Sequence, residues 1–248
     1  ENLSVMRTLL APSMLNVIVD NLKKGNAEGR LFEMSNIYIP KQLPVTELPE
    51  ERLHLGFAAW GSEEDFFAVK GAVESFGAAF GVELTVERAT DVAWLHPGIA
   101  AYILCKGEHV GVFGKLANDE LPKDSRANLN IYLGEIDWVA FHALVPAAIH
   151  YQPIPEFAPV QRDLALVAPE SMECGTLVTE MQRACKQLTK VELFDIYRGE
   201  KLGADKKSMA FSLSFQPADK PLTPDEIDRF VKKILGNLKF KLGIEIRE

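Results

Sequence analysis

Between Val191 and Ile227 the chain reads VELFDIYRGEKLGADKKSMAFSLSFQPADKPLTPDEI, and no other stretch limits the fold so tightly. Two runs, VELFDIY and SMAFSLSFQ, alternate in character with a period of two. That pattern buries one face of a strand and leaves the other outside. A glycine- and lysine-rich turn joins them. PADKPLTPDE then opens a helix, with Thr223 at the N-cap, Pro224 at the first helical position and Glu226 three residues after the cap, which is a capping box. The face of the strand pair turned away from the helices would carry Asp195, Tyr197, Ser208, Ser212 and Ser214. Such a composition suits a surface that meets something polar better than it suits a core.

Extended to its neighbours, this stretch sits in the order strand (RDLALVA), helix (CGTLVTEMQRACKQL), strand (KVELFDIY), strand (KSMAFSLSF), helix (PDEIDRFVKKILGNL), strand (FKLGIEIR). That order is the split β-α-β, ferredoxin-like arrangement. Alternation assigns Phe194, Ile196, Met209, Phe211, Leu213, Phe215, Phe240, Leu242, Ile244 and Ile246 to the helices. The open face receives Asp195, Tyr197, Ser208, Ala210, Ser212, Ser214, Lys239, Lys241, Glu245 and Arg247, joined by Asp163 and Ala165.

The three prolines of HYQPIPEFAP, His150 to Pro159, mark a linker. Before it, PSMLNVIVDNLKK reads as a helix with Met14, Leu15, Ile18, Val19 and Leu22 on one face and Gly25 just past its end. RLFEMSNIYI and RLHLGFAAWG alternate as strands. DFFAVKGAVESFGAAFG is a second helix, capped by Asp65 and stopped by Gly81. Shorter strands follow at VELTVER, AAYILCKG, HVGVFGKL and LNIYLGEIDW, with a hairpin turn at Gly107. The result is an α+β domain built on an antiparallel sheet. It holds no GxGxxG or GxxxxGK[ST] loop to cradle a phosphate.

Charge separates the halves. Residues 1–150 hold 12 Lys+Arg against 20 Asp+Glu, whereas residues 151–248 hold 15 of each. The acidic half is a poor match for a phosphate backbone, and the neutral half can still present a basic patch. Cys105, Cys174 and Cys185 form no CxxC pair and the five histidines are dispersed, so reduced thiols and no metal site are expected. No apolar run nears a membrane span, so a cytoplasmic location without a membrane partner is expected. The opening ENLSVMRTLL reads as a cut inside a larger protein.

Five blocks of the second half, in order, carry a family resemblance: Phe157 and Pro159 leading into Arg162-Asp163, then LFDIYRG, KKSMAFSLSFQ, LTPDEI, and Gly243 with Ile246-Arg247. Together they resemble the ferredoxin-fold anticodon-binding domain of phenylalanyl-tRNA synthetase. In the first half MRTLLAPSML, RLFEMSNIYI, FFAVKGAVE, LHPGIAA, GVFGKL and IYLGEID resemble the catalytic-like module of that synthetase's β chain, a class II relative without an active site. Ser35 stands where the family usually has glycine, Ile99-Ala100 where it has Arg-Ser, and Gly114–Asn118 reads GKLAN where GEIHP is common. These departures suggest a divergent bacterial member.

The resemblance implies a fold of class α+β: a partial class II synthetase-like antiparallel sheet domain over 1–149, a linker over 150–159, and a ferredoxin-like βαββαβ sandwich over 160–248. It implies an α₂β₂ enzyme that joins phenylalanine to its tRNA using ATP and Mg²⁺, with the chemistry on the α subunit and no cofactor held by this part. The first half would pack on α, and the second would bind the anticodon region.

For RNA the candidate contacts are Tyr197 for stacking, Arg198, Lys201, Lys206, Lys207 and Arg162 for phosphates, and Ser208 and Ser212 for bases or sugars. Against this, Tyr197 can simply close the sheet edge, the lysines can be a solvated turn, and Arg162-Asp163 can fix the linker to the sheet. No catalytic constellation is evident. His96 lacks a nucleophile and reads as a loop histidine bonded to backbone, although a hydrolase using it remains open. Glu33 and Glu135 suit a sheet-face salt bridge better than an acid/base or Mg²⁺ pair. Arg7 and Arg30 are the only arginines in the first fifty residues, too few for a site gathering ATP phosphates. A protein-docking module without RNA contact is the alternative from another class.

Overall fold

The computed structural model describes residues 5–120, 129–148, 151, 154–199, 202–203, 205–217 and 220–246. They form two compact units, Glu1–His150 and Tyr151–Glu248.

The first unit is a six-stranded antiparallel sheet with helices on both faces. Its elements are α1 (Ala11–Lys23), β1 (Gly29–Ile39), β2 (Glu50–Gly61), α2 (Phe66–Ala79), β3 (Leu84–Arg88), β4 (Leu95–Cys105), β5 (Glu108–Leu116), β6 (Asn130–Asp137) and α3 (Trp138–Leu144). The strand order is β1-β2-β6-β5-β4-β3. Alternation splits β6 between two cores. Ile131 and Leu133 face α1, where Leu10, Met14 and Ile18 are fully covered. Tyr132 and Ile136 face α2 and α3, with Val69, Val73 and Phe141.

Helix α1 has the apolar stripe expected of it but no side-chain cap of its own at Leu10. Its cap comes from 124 residues away: the Ala11 amide donates to Glu135 Oε1 at 2.6 Å, and Glu135 Oε2 lies 3.2 Å from His54 Nδ1. Glu135 is 4% exposed. A buried carboxylate needs donors, and the amide and positive end of a helix supply them. Gly56, paired with Glu135 across β2 and β6, makes the approach possible, since a Cβ there would fall 2.6 Å from Met14 Sδ. Glu135 is therefore a helix cap as well as the partner of His54 across the sheet. Glu33 does pair with a cation, Arg7 Nη1 at 2.7 Å.

The α2 cap is as expected, with the Ala68 amide donating to Asp65 Oδ1 at 2.7 Å. Lys106 and Gly107 both take positive φ in the β4–β5 hairpin. Helix α3 replaces the strand end expected at Trp138. Asp137 caps it by accepting from the Ala140 amide at 3.0 Å.

The second unit runs β7 (Val160–Pro169), α4 (Cys174–Ala184), β8 (Leu188–Tyr197), β9 (Lys206–Phe215), α5 (Pro224–Leu242) and β10 (Glu245–Ile246), with sheet order β10-β7-β9-β8. This is the ferredoxin-like βαββαβ sandwich. Leu164, Leu166, Met209, Phe211, Leu213 and Phe215 fill its core beneath α4 and α5. The capping box at Thr223 is present, with both reciprocal bonds made.

Two expectations fail here. The strand expected over FKLGIEIR is helix as far as Leu242, because Leu235, Leu238 and Leu242 keep a helical spacing and Gly243, with φ of 65°, makes the stop. Lys239 and Lys241 therefore leave the sheet face for the last turn of α5. Phe240 is 90% exposed instead of core, while Leu242 still packs on the core, from a helix. Arg247 lies outside the described residues. The second failure is at Phe194, which is 60% exposed. A bulge between Leu193 and Asp195 adds one residue to β8, so Leu193 and Ile196 share the helix side and Phe194 is displaced from it.

The helices are tied together by Glu180. Lys241 Nζ lies 2.7 Å from its Oε2, Asn237 Nδ2 donates to it at 3.2 Å, and Arg183 Nη1 to Oε1 at 3.0 Å. These donors, Lys241 foremost, hold the Glu180 carboxyl at about 2 against an ordinary 4.5.

Two outcomes follow from these contacts. Glu135→Ala should lower stability by about 2 kcal/mol, through loss of the cap and an orphaned amide. Denaturant unfolding read by tryptophan emission measures it in the first unit alone, because Trp60, Trp94 and Trp138 all lie there. For Glu180 the folded value is depressed, so its stabilisation is complete above 4.5 and is lost as pH falls towards about 2. The difference in circular-dichroism unfolding midpoint between parent and Glu180→Gln should be largest near neutral pH and close as pH falls through that window.

Candidate nucleic-acid interface

Helices α4 and α5 pack on one face of the second sheet, and among the described residues of this unit no helix covers the other. Residues paired across a ladder share a face, so the register writes this open face as rows. Val167, Ser208 and Tyr197 form one row, with Glu245 beside Val167. Ala165, Ala210 and Asp195 form the next, then Asp163, Ser212 and Glu192, then Gln161, Ser214 and Lys190. The bulge in β8 brings Asp195 and Tyr197 into these rows.

The structure brings Tyr197, Ser208 and Ser212 onto one face. Tyr197 is 40% exposed. Its ring lies against Gly199, where a Cβ would sit 2.5 Å from Tyr197 Cζ. Gly199 is thus there to admit the tyrosine, not for a turn dihedral. Gly203, with φ of 89°, is the turn glycine. Ser212 is half-buried. Ser208 is 3% exposed, so its hydroxyl is covered and presents little to a ligand.

The cations are placed less simply. Arg198 is held by Glu170: Nε lies 3.1 Å from both carboxylate oxygens and Nη2 lies 2.8 Å from Oε1. The fork raises the Arg198 pKa, first by hydrogen bonding to Glu170, and lowers that of Glu170. Lys207 Nζ donates to the Glu170 carbonyl at 2.8 Å. Arg162 pairs in register with Leu213 and so belongs to the helix side, opposite Ser212. Lys206 is exposed, with no ion pair among the described residues. Lys201 lies outside the described residues. Sequence reasoning missed Glu170, which no local pattern links to residues 28 and 37 positions later.

Among the described residues the open face is acidic in sum. Asp163, Glu192, Asp195 and Glu245 face Lys190, itself 2.7 Å from Glu192. Carboxylates, hydroxyls and one aromatic can accept from base amino groups and stack on a base. They do not neutralise phosphates.

In the first unit the other candidates are engaged. Arg30 forms a two-pronged pair with Glu64 at 2.8 and 3.0 Å, and Arg7 also bonds the Asn36 carbonyl and Ser35. His96, expected in a loop, lies at the start of β4, and its Nδ1 accepts from the Gly98 amide at 3.1 Å, the backbone bond expected of it. Phe32, Leu55, Phe57 and Phe76 line an apolar groove between β1–β2 and α2. Among the described residues no helix is long and apolar enough to cross a membrane, and no group of three or more His, Cys, Asp or Glu side chains could hold a metal.

Fold and open face together define a chain with a ferredoxin-fold anticodon-binding domain, and residues 155–247 match the model of that description. Residues 1–138 match the model of the phenylalanyl tRNA synthetase beta chain CLM domain. The chain belongs to the phenylalanyl-tRNA synthetase β chain family. It is 32% identical over 256 residues to the phenylalanine–tRNA ligase beta subunit of Carboxydothermus hydrogenoformans, covering 98% of this chain and 32% of the relative. The beta subunits of Symbiobacterium thermophilum and Lactococcus lactis are each 33% identical over the whole chain, across 29% and 32% of their own lengths. The chain thus spans about a third of the length of these relatives.

Gly199→Ala should push the Tyr197 ring off its seat without unfolding the domain, because the clash is with the far end of a side chain and not with backbone. The Tyr197 ring resonances should shift, with the thermal midpoint moving by only a degree or two, about 0.5 kcal/mol or less.

Proposed function

We propose that this chain is the C-terminal part of the β subunit of a phenylalanine–tRNA ligase, with residues 160–248 binding the anticodon region of the tRNA for phenylalanine. The observation that carries this is the open sheet face, where Tyr197 stands among hydrogen-bonding side chains in a domain matched to an anticodon-binding model. Single-stranded loop bases are held by aromatic stacking and by polar groups on their edges, and this face offers both. Tyr197, Asp195 and Ser212 are the base-contacting set. Lys206 brings positive charge at the rim, with Arg198 and Lys207 one step behind on Glu170. Ser208 stands beside Tyr197 in the same row.

Residues 1–149 form a class II synthetase-type module without catalysis that packs against the α subunit of an α₂β₂ enzyme. Arg7 and Arg30, the arginines best placed by sequence to meet ATP phosphates, are satisfied by Glu33 and Glu64. That supports a module released from adenylate chemistry, which concentrates negative charge. The apolar groove around Phe32 supports a protein contact for this half. ATP and Mg²⁺ serve the whole ligase from the α subunit, and the assembly works in the cytoplasm.

A second reading has one observation in its favour: the acidity of the open face suits a basic protein partner as well as base edges. Titrating the 248-residue chain with tRNA for phenylalanine decides between them. Tyr197→Ala should weaken binding about 10-fold or more, in keeping with about 1–3 kcal/mol for one stacked base. Binding indifferent to Tyr197→Ala, or equal for a tRNA of unrelated anticodon, would give the face to a protein.

A further inference from the structure

The open sheet face is acidic, yet any RNA held there carries a phosphate at every nucleotide. A longer run of positive charge lies elsewhere in this domain. From Arg229 to Ile244 the chain holds five cations, Arg229, Lys232, Lys233, Lys239 and Lys241, and no carboxylate. Lys241 is taken by Glu180. The rest lie on the outside of α5. Arg229, Lys233, Gly236 and Phe240 recur at intervals of four, three and four, one line along a helix, with Lys232 and Lys239 beside it. That line is opposite Ile227, Ile234 and Leu238, which are buried.

Three features set this strip apart from an ordinary solvated face. First, Arg229, Lys232 and Lys233 make no ion pair among the described residues, although Asp225 and Asp228 stand one turn earlier. Like charges four apart on a helix repel, so Arg229 and Lys233 cost the helix stability. Second, Phe240 is 90% exposed between Lys239 and Lys241, an aromatic ring offered to solvent inside the cationic strip. Third, Gly236 is mid-helix, where glycine is unfavourable, and its missing Cβ would meet no atom within 4 Å. Nothing inside the domain asks for a glycine there. A smooth gap between the lysines and the ring lets a backbone come close from outside. Beside the strip, Lys239 Nζ lies 3.3 Å from Glu245 Oε1 on the edge strand β10.

We propose that the outer face of α5 is a phosphate-binding strip for RNA, with Arg229, Lys232 and Lys233 on the sugar–phosphate backbone, Gly236 allowing close approach and Phe240 stacking on an exposed base. The strip supplies the electrostatic grip that the sheet face lacks, and it acts without regard to sequence. This rests on the reading that the second unit binds tRNA.

The test uses the whole 248-residue chain and labelled tRNA for phenylalanine, with binding measured from about 50 to about 200 mM salt. Arg229→Gln, Lys232→Gln and Lys233→Gln combined should weaken binding about 10-fold or more at low salt. The slope of log affinity against log salt should become shallower by about 2, since each released contact contributes about 0.7–0.9. The loss should be the same for a tRNA of altered anticodon. Phe240→Ala should weaken binding while leaving the slope unchanged. Thermal unfolding midpoints of the outward-facing variants should not fall below the parent's. Parent affinity and slope in the triple variant would overturn the strip, and if Tyr197→Ala still weakened binding the sheet-face reading would stand alone. Loss in the triple variant with Tyr197→Ala silent would keep the strip and remove the sheet face. Lost capture of the α subunit with tRNA binding intact would make the strip a protein contact and overturn the proposal.

Discussion

The first unit turns on a single buried carboxylate. Glu135 sits among apolar side chains where an unpartnered charge would be costly to hold. The Ala11 amide, the positive end of α1 and His54 offset that cost together. The bond fixes where α1 begins, how deep it sits and which face of the sheet it covers. Gly56, directly opposite on β2, clears the space that α1 then fills with Leu10 and Met14. Helix, central strand and neighbouring strand are thereby located by one oxygen pair.

The second unit solves a different problem. It must keep one sheet face open without falling apart, so its stability is gathered on the other side. The core residues of β7 and β9 meet α4 and α5 there, and Glu180 clamps the two helices to each other. The open face carries almost none of that load, which leaves its composition free to be set by a ligand. Its acids and its tyrosine, and the cations along α5, divide recognition of bases from attraction of phosphates.

Much of this was legible in the sequence because each signal was local. Thr223, Pro224 and Glu226 lie within four residues, and Asp65 caps the very next helix. The alternation of SMAFSLSF survives intact in β9, where Ser and Ala on one parity and Phe, Leu and Met on the other match the two faces. What escaped was non-local or a matter of one residue. The bulge at Phe194 leaves no mark in composition. KFKL suits a strand or a helix turn equally, and the leucines before it, together with the glycine after it, decided for helix. Arg198 and Lys207 looked free because Glu170, which takes them both, is far upstream. Arg162 was decidable: neighbours in a strand point to opposite faces, so Arg162 and Asp163 cannot both lie on the open side.

The strand order of the first sheet has a consequence for how the chain comes into being. β1 and β2 form one hairpin and β3 to β5 one meander, and the last strand made, β6, enters between β2 and β5 to join them. Until it arrives, the nascent chain holds two half-sheets, each with an unpaired edge in what becomes the middle of the finished sheet, and α1 has no cap. Strand β6 therefore acts as a keystone laid last. The interval before it emerges is when the chain most needs shielding from its own copies.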